Sequence, residues 1–560
     1  MGLAAVGVGA GPWHGLGARG PRPVARRPDG GIAARVSLRG QMLTLRGPAT
    51  SPGPRWGRAR RLGAVSGADA SLGARLAERL GGFPAAQALV PLALGGAVAW
   101  AAPVPAGVTQ AAWNTLALFV ATIGAIVAAP LPVGACALLG LTAGVAGGII
   151  PFATAFGAFS SDIPVLILMA SFIARAMVNT GLGLRLALHV VKAFGGTALG
   201  LAYSLALVEL CLAPCIPSVA GRAGGIILPI VLSLSQASGS DPKEGTERRL
   251  GGFLVLTLFQ TSAVSCGMFL TGNHPNPLAA SLAAPFLEPG HGLTWGAWAL
   301  AALGPGLACL LCAPLVVYAL HPPELKVSPE APTLARARLQ QMGPMSRGEQ
   351  AMLAILLSTV ALWIAGDRIF GVGAAAAAVA SACTLLCTGI LNWSRDCVGG
   401  PTRAGWDMYF WFAALIAMAG QLKASGLVGW FSDAVTSALA SSGLLGLGWG
   451  AVLGALTLVY FYSHYFFASN AAHVGALYSA FLSVAVAAGC PPLVSAVVLA
   501  ALSNQMGAIT HFGMSSAVQF YGAGYVPLTT WWTVGFAVSL VSLALWATVG
   551  PLWWTLIGIL

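Results

Sequence analysis

Two long stretches of this 560-residue chain carry no charged side chain. Neither Gly81 to Ser161 nor Ala434 to Leu560 contains an Asp, Glu, Lys or Arg. Charged residues make up about 25% of a typical soluble domain, but only 8% of this chain. A soluble fold needs charge on its surface, so stretches of this length belong in lipid. The sequence therefore predicts an all-α polytopic membrane protein.

The net charge of +12 is concentrated at one end of the chain. Residues 1–80 hold thirteen Arg, no Lys and three acidic residues. The excess therefore does not indicate a nucleic-acid groove, and no nucleic-acid partner is expected. An Arg-rich, acid-poor segment is typical of an organellar transit peptide, and we assign residues 1–80 to one. The alternatives are a disordered basic tail on a bacterial protein and a mispredicted start codon.

Apolar runs separated by short polar breaks fill the rest of the chain, about 11–14 hydrophobic elements in our estimate, several near the ~20 residues that a spanning helix needs. A polar, proline-containing segment, residues 321–350, is interpreted as a linker. It separates a first membrane half, residues 85–320, whose repeat begins near residue 130, from a second membrane repeat, residues 351–560.

The two halves contain similar interruptions in the same order. Paired discontinuities of this kind are the best sequence pointer to the binding site of a secondary transporter, because unwound backbone at membrane depth is tolerated only where it is buried or lines a cavity. The three pairs are Met177-Val-Asn-Thr-Gly-Leu182 with Leu422-Lys-Ala-Ser-Gly-Leu427, Pro217-Ser-Val-Ala-Gly-Arg222 with Ala468-Ser-Asn-Ala-Ala-His473, and Phe269-Leu-Thr-Gly-Asn-His-Pro-Asn-Pro277 with Gly507-Ala-Ile-Thr-His-Phe-Gly-Met-Ser-Ser516.

At these interruptions the chain resembles the divalent anion/sodium symporter family. The nearest branch contains bacterial citrate or tartrate/succinate antiporters and plastid 2-oxoglutarate/malate translocators. The resemblance covers about residues 110 to 560 and implies two inverted repeats, scaffold and transport subdomains, re-entrant hairpins, unwound helices at the site, a homodimer and an elevator movement. The stretches that carry it include Ala213-Pro-Cys-Ile-Pro-Ser-Val-Ala-Gly-Arg222, Gly267-Met-Phe-Leu-Thr-Gly-Asn-His-Pro-Asn-Pro277, Tyr462-Ser-His-Tyr-Phe-Phe-Ala-Ser-Asn-Ala-Ala-His473 and Gly550-Pro-Leu-Trp-Trp554.

One departure from the family pattern bears on ion coupling. Members of the family usually carry Ser-Asn-Thr in both halves, beside the substrate and, in the symporters, near sodium. Here the first copy is Ser218-Val219-Ala220, which lacks an amide and a hydroxyl, and the second is Ser469-Asn-Ala, which lacks only the hydroxyl. Sodium coordination and substrate contact in the first half are therefore in question.

A dicarboxylate brings two negative charges into a low-dielectric site, where they need compensating positive charge. Arg222 lies four residues after Ser218, and His473 lies four residues after Ser469, so the repeat places them in equivalent positions. We expect Arg222 to bind a carboxylate with its planar fork. The alternative is an arginine paired with a backbone carbonyl or with Glu209.

The remaining candidates lie at the later interruptions. His274 and His511 fall in the two polar breaks, whereas His464 is interpreted as a satisfied core residue. Half-helix N-termini at the breaks would add partial positive charge and free N–H donors. The complete predicted substrate-binding set is Ser218, Arg222, Thr271, Asn273, His274, Asn276, Ser469, Asn470, His473, Thr510 and His511.

These features favour a carrier of dicarboxylate anions in a lipid bilayer. With Arg222 permanently charged, an empty site could not easily cross the hydrophobic barrier, because its charge would be uncompensated. This predicts obligate exchange of C4/C5 dicarboxylates such as malate and 2-oxoglutarate, with no need for sodium. A sodium-coupled di- or tricarboxylate symporter and, more distantly, an anion channel are the alternatives. The transit-like N-terminus and the family branch together predict the plastid inner envelope, with a bacterial-type plasma membrane or the mitochondrial inner membrane as alternatives.

No enzyme is expected. The sequence offers no convincing motif of an intramembrane protease and no Walker phosphate loop. No cofactor and no metal site are expected either. The Cys309-Leu-Leu-Cys312 motif lies in an apolar run without a second pair or a nearby His, and we interpret it as packing.

Overall fold

The structure, a computed structural model, describes residues 85–128, 130–288, 292–441 and 443–560. Over these ranges it is helical, and its only β-type pairing is one isolated bridge between Thr197 and Val327. The predicted all-α class is therefore confirmed. The transit segment predicted at residues 1–80 lies outside the described residues.

Seven helices are long and apolar enough to cross a membrane, which confirms the polytopic prediction. An eighth candidate is a bent pair, Arg403–Ala424 with Leu427–Ala438, whose halves meet at 66°. The seven are Phe152–Thr180, Ala220–Glu244, Gly251–Met268, Trp295–Leu320, Arg347–Gly366, Asn470–Ala487 and Leu528–Leu556. Six shorter apolar helices accompany them: Leu89–Trp100, Gln110–Ile126, Val133–Ala146, Ala198–Leu212, Ala374–Cys387 and Pro492–Ala508.

The first pair of similar motifs forms the same local structure in both halves. Gly181 ends the helix Asp162–Thr180 with a φ of +77°, and Gly426 follows the helix Arg403–Ala424 with a φ of +80°. A left-handed residue after a helix is usually glycine, because it has no Cβ to clash. These two glycines therefore set the turns into the next helices.

At the later interruptions, each half forms two elements in the same order. Each half has a hairpin of two helices and then a helix broken near its end. In the first half, the first hairpin comprises Ala198–Leu212, the π-helical Ala220–Ile227 and Leu228–Ala237, and the first broken helix comprises Gly251–Met268 and Pro275–Ala283. In the second half, the second hairpin comprises Trp449–Tyr462, Asn470–His473, Val474–Tyr478 and Ser479–Ala487, and the second broken helix comprises Pro492–Gln505 and Ala517–Gly522.

The two broken helices form the centre of the fold. Every residue of Gly251–Met268 is buried, as is nearly all of Pro492–Gln505. They meet closely at Gly267, where a Cβ would lie 2.6 Å from the carbonyl oxygen of Ala501. Only glycine permits this approach, and it places the two breaks near each other.

The segment predicted as a linker, residues 321–350, is a structured connection. It contains the helix Glu330–Met342, which packs against the helix Leu182–Phe194. Buried Arg185 holds the following turn, with its Nε 2.6 Å from Glu349 and its Nη1 2.8 Å from the carbonyl oxygen of Gly343. Pro332 is compatible with this helix because it falls in the first helical turn, where no backbone N–H is needed.

Candidate functional site

The Arg222 side chain fills the space between the break of the first hairpin and the break of the first broken helix. Its Nη1 donates to the carbonyl oxygens of Ile216, at 2.6 Å, and Gly272, at 3.1 Å. Its Nε lies 2.8 Å from Glu209, and its Nη2 lies 3.1 Å from the sulfur of Cys266. Arg222 has no exposed surface, and four of its five N–H donors are bonded inside the protein, with Nε on Glu209 as in the alternative pairing.

An amide network joins the two broken helices. Asn273 donates to the side-chain oxygen of Asn504 at 2.9 Å, and Asn504 donates to that of Asn276 at 2.7 Å. Asn276 in turn donates to the carbonyl oxygens of Cys266 and Phe269, which the break leaves without helical partners. Asn273 and Asn276 therefore hold the two breaks together, and sequence reasoning missed Asn504, their shared partner.

The second hairpin makes similar contacts with the second broken helix. Asn470 donates to the carbonyl oxygen of Ser503 at 2.6 Å. His473 is buried with its Nε2 2.8 Å from the hydroxyl of Ser463, and buried His464 has its Nε2 2.8 Å from the carbonyl oxygen of Gly513. The structure thus places His464 in the packed interior, although its Nδ1 has no hydrogen-bond partner among the described residues and the ring is only partly satisfied.

The remaining predicted residues lie at the breaks with different surroundings. Thr271 is buried and bridges the carbonyl oxygen of Pro214 and the indole N–H of Trp295. Ser469 caps the helix that follows it. Thr510 is buried with no partner for its hydroxyl among the described residues. His511 lies farther out and accepts a hydrogen bond from Trp532.

A cavity of about 180 Å³ opens beside the break of the first hairpin. At about 30 Å³ per water molecule it has room for about six waters, the scale of a small organic acid. It contains two predicted residues, Ser218 and His274, but neither Arg222 nor His473 lines it. Its wall consists of Ser171, Ala174, Arg175, Val178, Ile216, Pro217, Ser218, Gly221, His274, Thr402, Ala404 and Gly405.

Two polar groups in this cavity are available to a ligand. The hydroxyl of Ser218 accepts only a 3.2 Å bond from the backbone of Gly221. The ring nitrogens of His274 have no hydrogen-bond partner in the part of the chain that the structure describes, while its backbone N–H donates to Asn273. Sequence reasoning missed Arg175 because it lies in an uninterrupted apolar run, with no break to mark it.

The described residues hold no group of three His, Cys, Asp or Glu side chains placed to bind a metal ion. All ten cysteines are free, and buried Cys309 packs within the helix Trp295–Leu320.

Curated relatives include transporters of plastids and bacteria. The chain is 51% identical over 466 residues to "Dicarboxylate transporter 1, chloroplastic" of Spinacia oleracea, an alignment that covers 83% of this chain and 80% of the relative. It is 42% identical over 485 residues to "Putative malate transporter YflS" of Bacillus subtilis, covering 86% and 99% respectively. The chloroplastic relatives and the candidate spans identify a multi-pass plastid membrane protein.

The fold is also similar to a solved structure. The YdaH transporter of Alcanivorax borkumensis, whose crystal structure is described as having an unusual topology, matches with a TM-score of 0.50 at 15% identity, covering 73% of this chain and 88% of that one. Residues 85–560 match the family described as "Sodium:sulfate symporter transmembrane region". The resemblance noted in the sequence is therefore confirmed, and the chain belongs to this sodium:sulfate symporter family.

Proposed function

We propose that this protein exchanges C4/C5 dicarboxylates such as malate and 2-oxoglutarate across the plastid inner envelope. The names of its relatives support the substrate class and the organelle. The paired hairpins and broken helices support a carrier with its site at the breaks, because half-helix termini and unwound backbone there can bind an anion. The relatives are named as transporters, which supports a function without catalysis.

One observation carries the proposal that exchange does not need sodium. The Nη1 atom of Arg222 occupies the position between the carbonyl oxygens of Ile216 and Gly272. Carbonyls of unwound helices are the groups that coordinate a coupling ion in many carriers. Here a fixed guanidinium satisfies them, so a sodium ion has no vacant carbonyl pair at this position.

The reason for obligate exchange differs from the one expected from the sequence. Glu209 neutralises the charge of Arg222, so that charge alone does not hold back an empty site. The cost lies instead in the polar groups at the breaks, of which Thr510 is fully buried with no partner for its hydroxyl in the described part of the chain. A buried polar group without a partner costs about 1–3 kcal/mol. Bound substrate can provide the missing partner, so a site that crosses the membrane only with substrate bound avoids that cost.

We further propose an elevator movement in a homodimer. Each hairpin is hydrogen-bonded to the broken helix of its own half, through Arg222 in the first half and Asn470 in the second. The amide network of Asn504 links the two broken helices. These contacts favour hairpins and broken helices that move together as one body.

The test is uptake of radiolabelled malate into proteoliposomes. Internal malate or 2-oxoglutarate is present or absent, and external sodium is replaced by potassium. We expect uptake only with internal dicarboxylate, at equal rates in sodium and potassium. Uptake into empty vesicles driven by a sodium gradient would instead identify a symporter, and uptake independent of both internal substrate and sodium would identify a channel.

A further inference from the structure

A dicarboxylate at the breaks needs positive charge that the predicted cations do not offer in this conformation. Arg222 uses its donors on Glu209, on two backbone carbonyls and on a thiol. His473 is buried against Ser463 and lies outside the 180 Å³ cavity. Isolated carboxylates are costly in a low-dielectric site. A different cation is therefore required where Ser218 and His274 are open to a ligand.

Arg175 is the arginine that lines the cavity with these two residues. Its side chain is 29% exposed, and it makes one long contact, from Nε to Asp396 at 3.4 Å. Neither of its two terminal nitrogens donates a hydrogen bond to any described residue. The end of the guanidinium that suits a carboxylate is therefore free.

The partner of Arg175 does not cancel its charge. Asp396 is already paired with Arg395, whose Nη2 lies 2.8 Å from one carboxylate oxygen and whose Nε lies 3.1 Å from the other. The backbone N–H of Asn392 donates to it as well. Two arginines share one carboxylate, so the group keeps a net positive charge beside the cavity.

A second source of positive potential reaches the same cavity. Thr402, Ala404 and Gly405 line it, and they lie at the N-terminus of the 22-residue helix Arg403–Ala424. The first N–H groups of a helix have no intrahelical acceptor and carry partial positive charge. A carboxylate bound beside Arg175 would therefore gain from both groups.

We propose that Arg175 binds one carboxylate of the dicarboxylate in this cavity, with Ser218 and His274 as neighbouring hydrogen-bonding groups. This rests on the proposed function and adds a substrate-binding residue to it. The two halves differ here: the repeated motifs place Gly420 at the position equivalent to Arg175, so the second half supplies no such cation. Arg175 thus binds the substrate at one end only.

The test compares Arg175→Gln and Arg175→Lys with the control Arg403→Gln. Arg403 is next to the lining residues Thr402 and Ala404, but its side chain is 70% exposed and does not line the cavity. Each variant is reconstituted, and the KM and maximal rate of malate exchange are measured. We expect Arg175→Gln to raise the KM about tenfold or more, Arg175→Lys to raise it less, and Arg403→Gln to leave it unchanged.

A second measurement separates a contact from a structural role. Competition by malate and by the uncharged diester of malate is measured against labelled substrate. Loss of a carboxylate contact should weaken competition by malate and leave the weak competition by the diester, which has no carboxylate, almost unchanged. A structural defect would weaken both equally and would overturn the proposal.

The other outcomes are also decisive. An unchanged KM and an unchanged preference for malate in Arg175→Gln would overturn the role of Arg175 while exchange itself stands. If Arg175→Gln does not fold, Arg175→Lys decides, since a raised KM at an unchanged maximal rate supports the proposal and an unchanged KM overturns it. Absence of dicarboxylate exchange in the unmodified protein would reject the proposed function itself.

Discussion

The Nε atom of Arg222 lies 2.8 Å from a carboxylate oxygen of Glu209, and both side chains are fully buried. The two residues belong to the two limbs of the first hairpin, so the ion pair holds the limbs together next to their break. It also places two opposite charges inside the fold, where either charge alone would be costly. Arg222 therefore holds the break of the hairpin in place, and its pairing with Glu209 leaves the hairpin with no net charge from these two residues.

Replacement of Arg222 by Ala is expected to abolish dicarboxylate exchange. The substitution leaves Glu209 buried and unpaired, which typically costs about 3–5 kcal/mol, and releases the carbonyl oxygens of Ile216 and Gly272. Arg222→Lys keeps the charge but cannot reach all four partners, so it should lose most of the activity. Thermal unfolding of the purified protein and exchange in proteoliposomes measure the two effects.

The double variant Glu209→Gln with Arg222→Met separates stability from transport. It removes both charges, and replacement of a whole buried pair is often neutral for stability. We expect the unfolding temperature to recover and sodium to begin to influence malate uptake, because the two carbonyl oxygens become vacant. Full sodium-independent exchange in this variant would show that Arg222 has no part in ion independence.

Loss of the Asn504 amide should weaken the contact between the broken helices. Asn504→Leu leaves the amide of Asn273 and the side-chain oxygen of Asn276 without their partner, at about 1–3 kcal/mol for each. The control is Asn114→Leu, which removes only a hydrogen bond to neighbouring Gln110. A similar fall in unfolding temperature in the control would contradict the prediction.

Gly267 is expected to tolerate no larger residue. A Cβ there would lie 2.6 Å from the backbone oxygen of Ala501, which cannot move without shifting the second broken helix. Gly267→Ala should therefore cost about 1–3 kcal/mol through overpacking and lower the exchange rate. In Gly454→Ala the new methyl group meets no atom within 4 Å, and the variant should be neutral or slightly stabilised. Equal stability of the two variants would refute the close crossing.

Acid should weaken the contribution of Asp396 to stability. The Arg395 guanidinium, which donates to both oxygens of buried Asp396, holds the pKa of this carboxyl well below its usual range. Its stabilising effect is full above the unfolded pKa of about 3.9 and is lost as the pH falls through the folded pKa. The gap in unfolding temperature between the unmodified protein and Asp396→Asn should therefore shrink as the pH falls below about 4. The control, Asp433→Asn at an exposed carboxylate, should show no such gap at neutral pH.

The breaks were predictable from the sequence, and their partners were not. Charge-free runs indicate helices in lipid, and Gly, Pro and Ser clusters interrupt them, so the breaks could be expected from the residues, while the hairpins were implied by the family resemblance. The pairing of Arg175 with Asp396 joins residues 221 positions apart, and no local pattern indicates it. The Asn273 and Asn504 contact likewise depends on how two broken helices cross.

The segment between the two halves, predicted as a linker, contains a helix that its sequence does not indicate. Its prolines hide this helix, because proline usually interrupts helices. Only the packing of Glu330–Met342 against Leu182–Phe194 shows that this segment is ordered, and packing between distant elements is not encoded in a local pattern.

The buried contacts of Arg185 with Glu349 and Gly343 have a consequence for the integrity of the molecule. Arg185 belongs to the first half, whereas Gly343 and Glu349, which it binds, lie before and in the first turn of the helix Arg347–Phe370, which leads into the second half. The peptide bonds through the exposed part of Glu330–Met342 are therefore not the sole link between the halves. A single cut there would leave two polypeptides that remain joined by a buried ion pair. The two halves are therefore held together by non-covalent contacts as well as by the continuous chain.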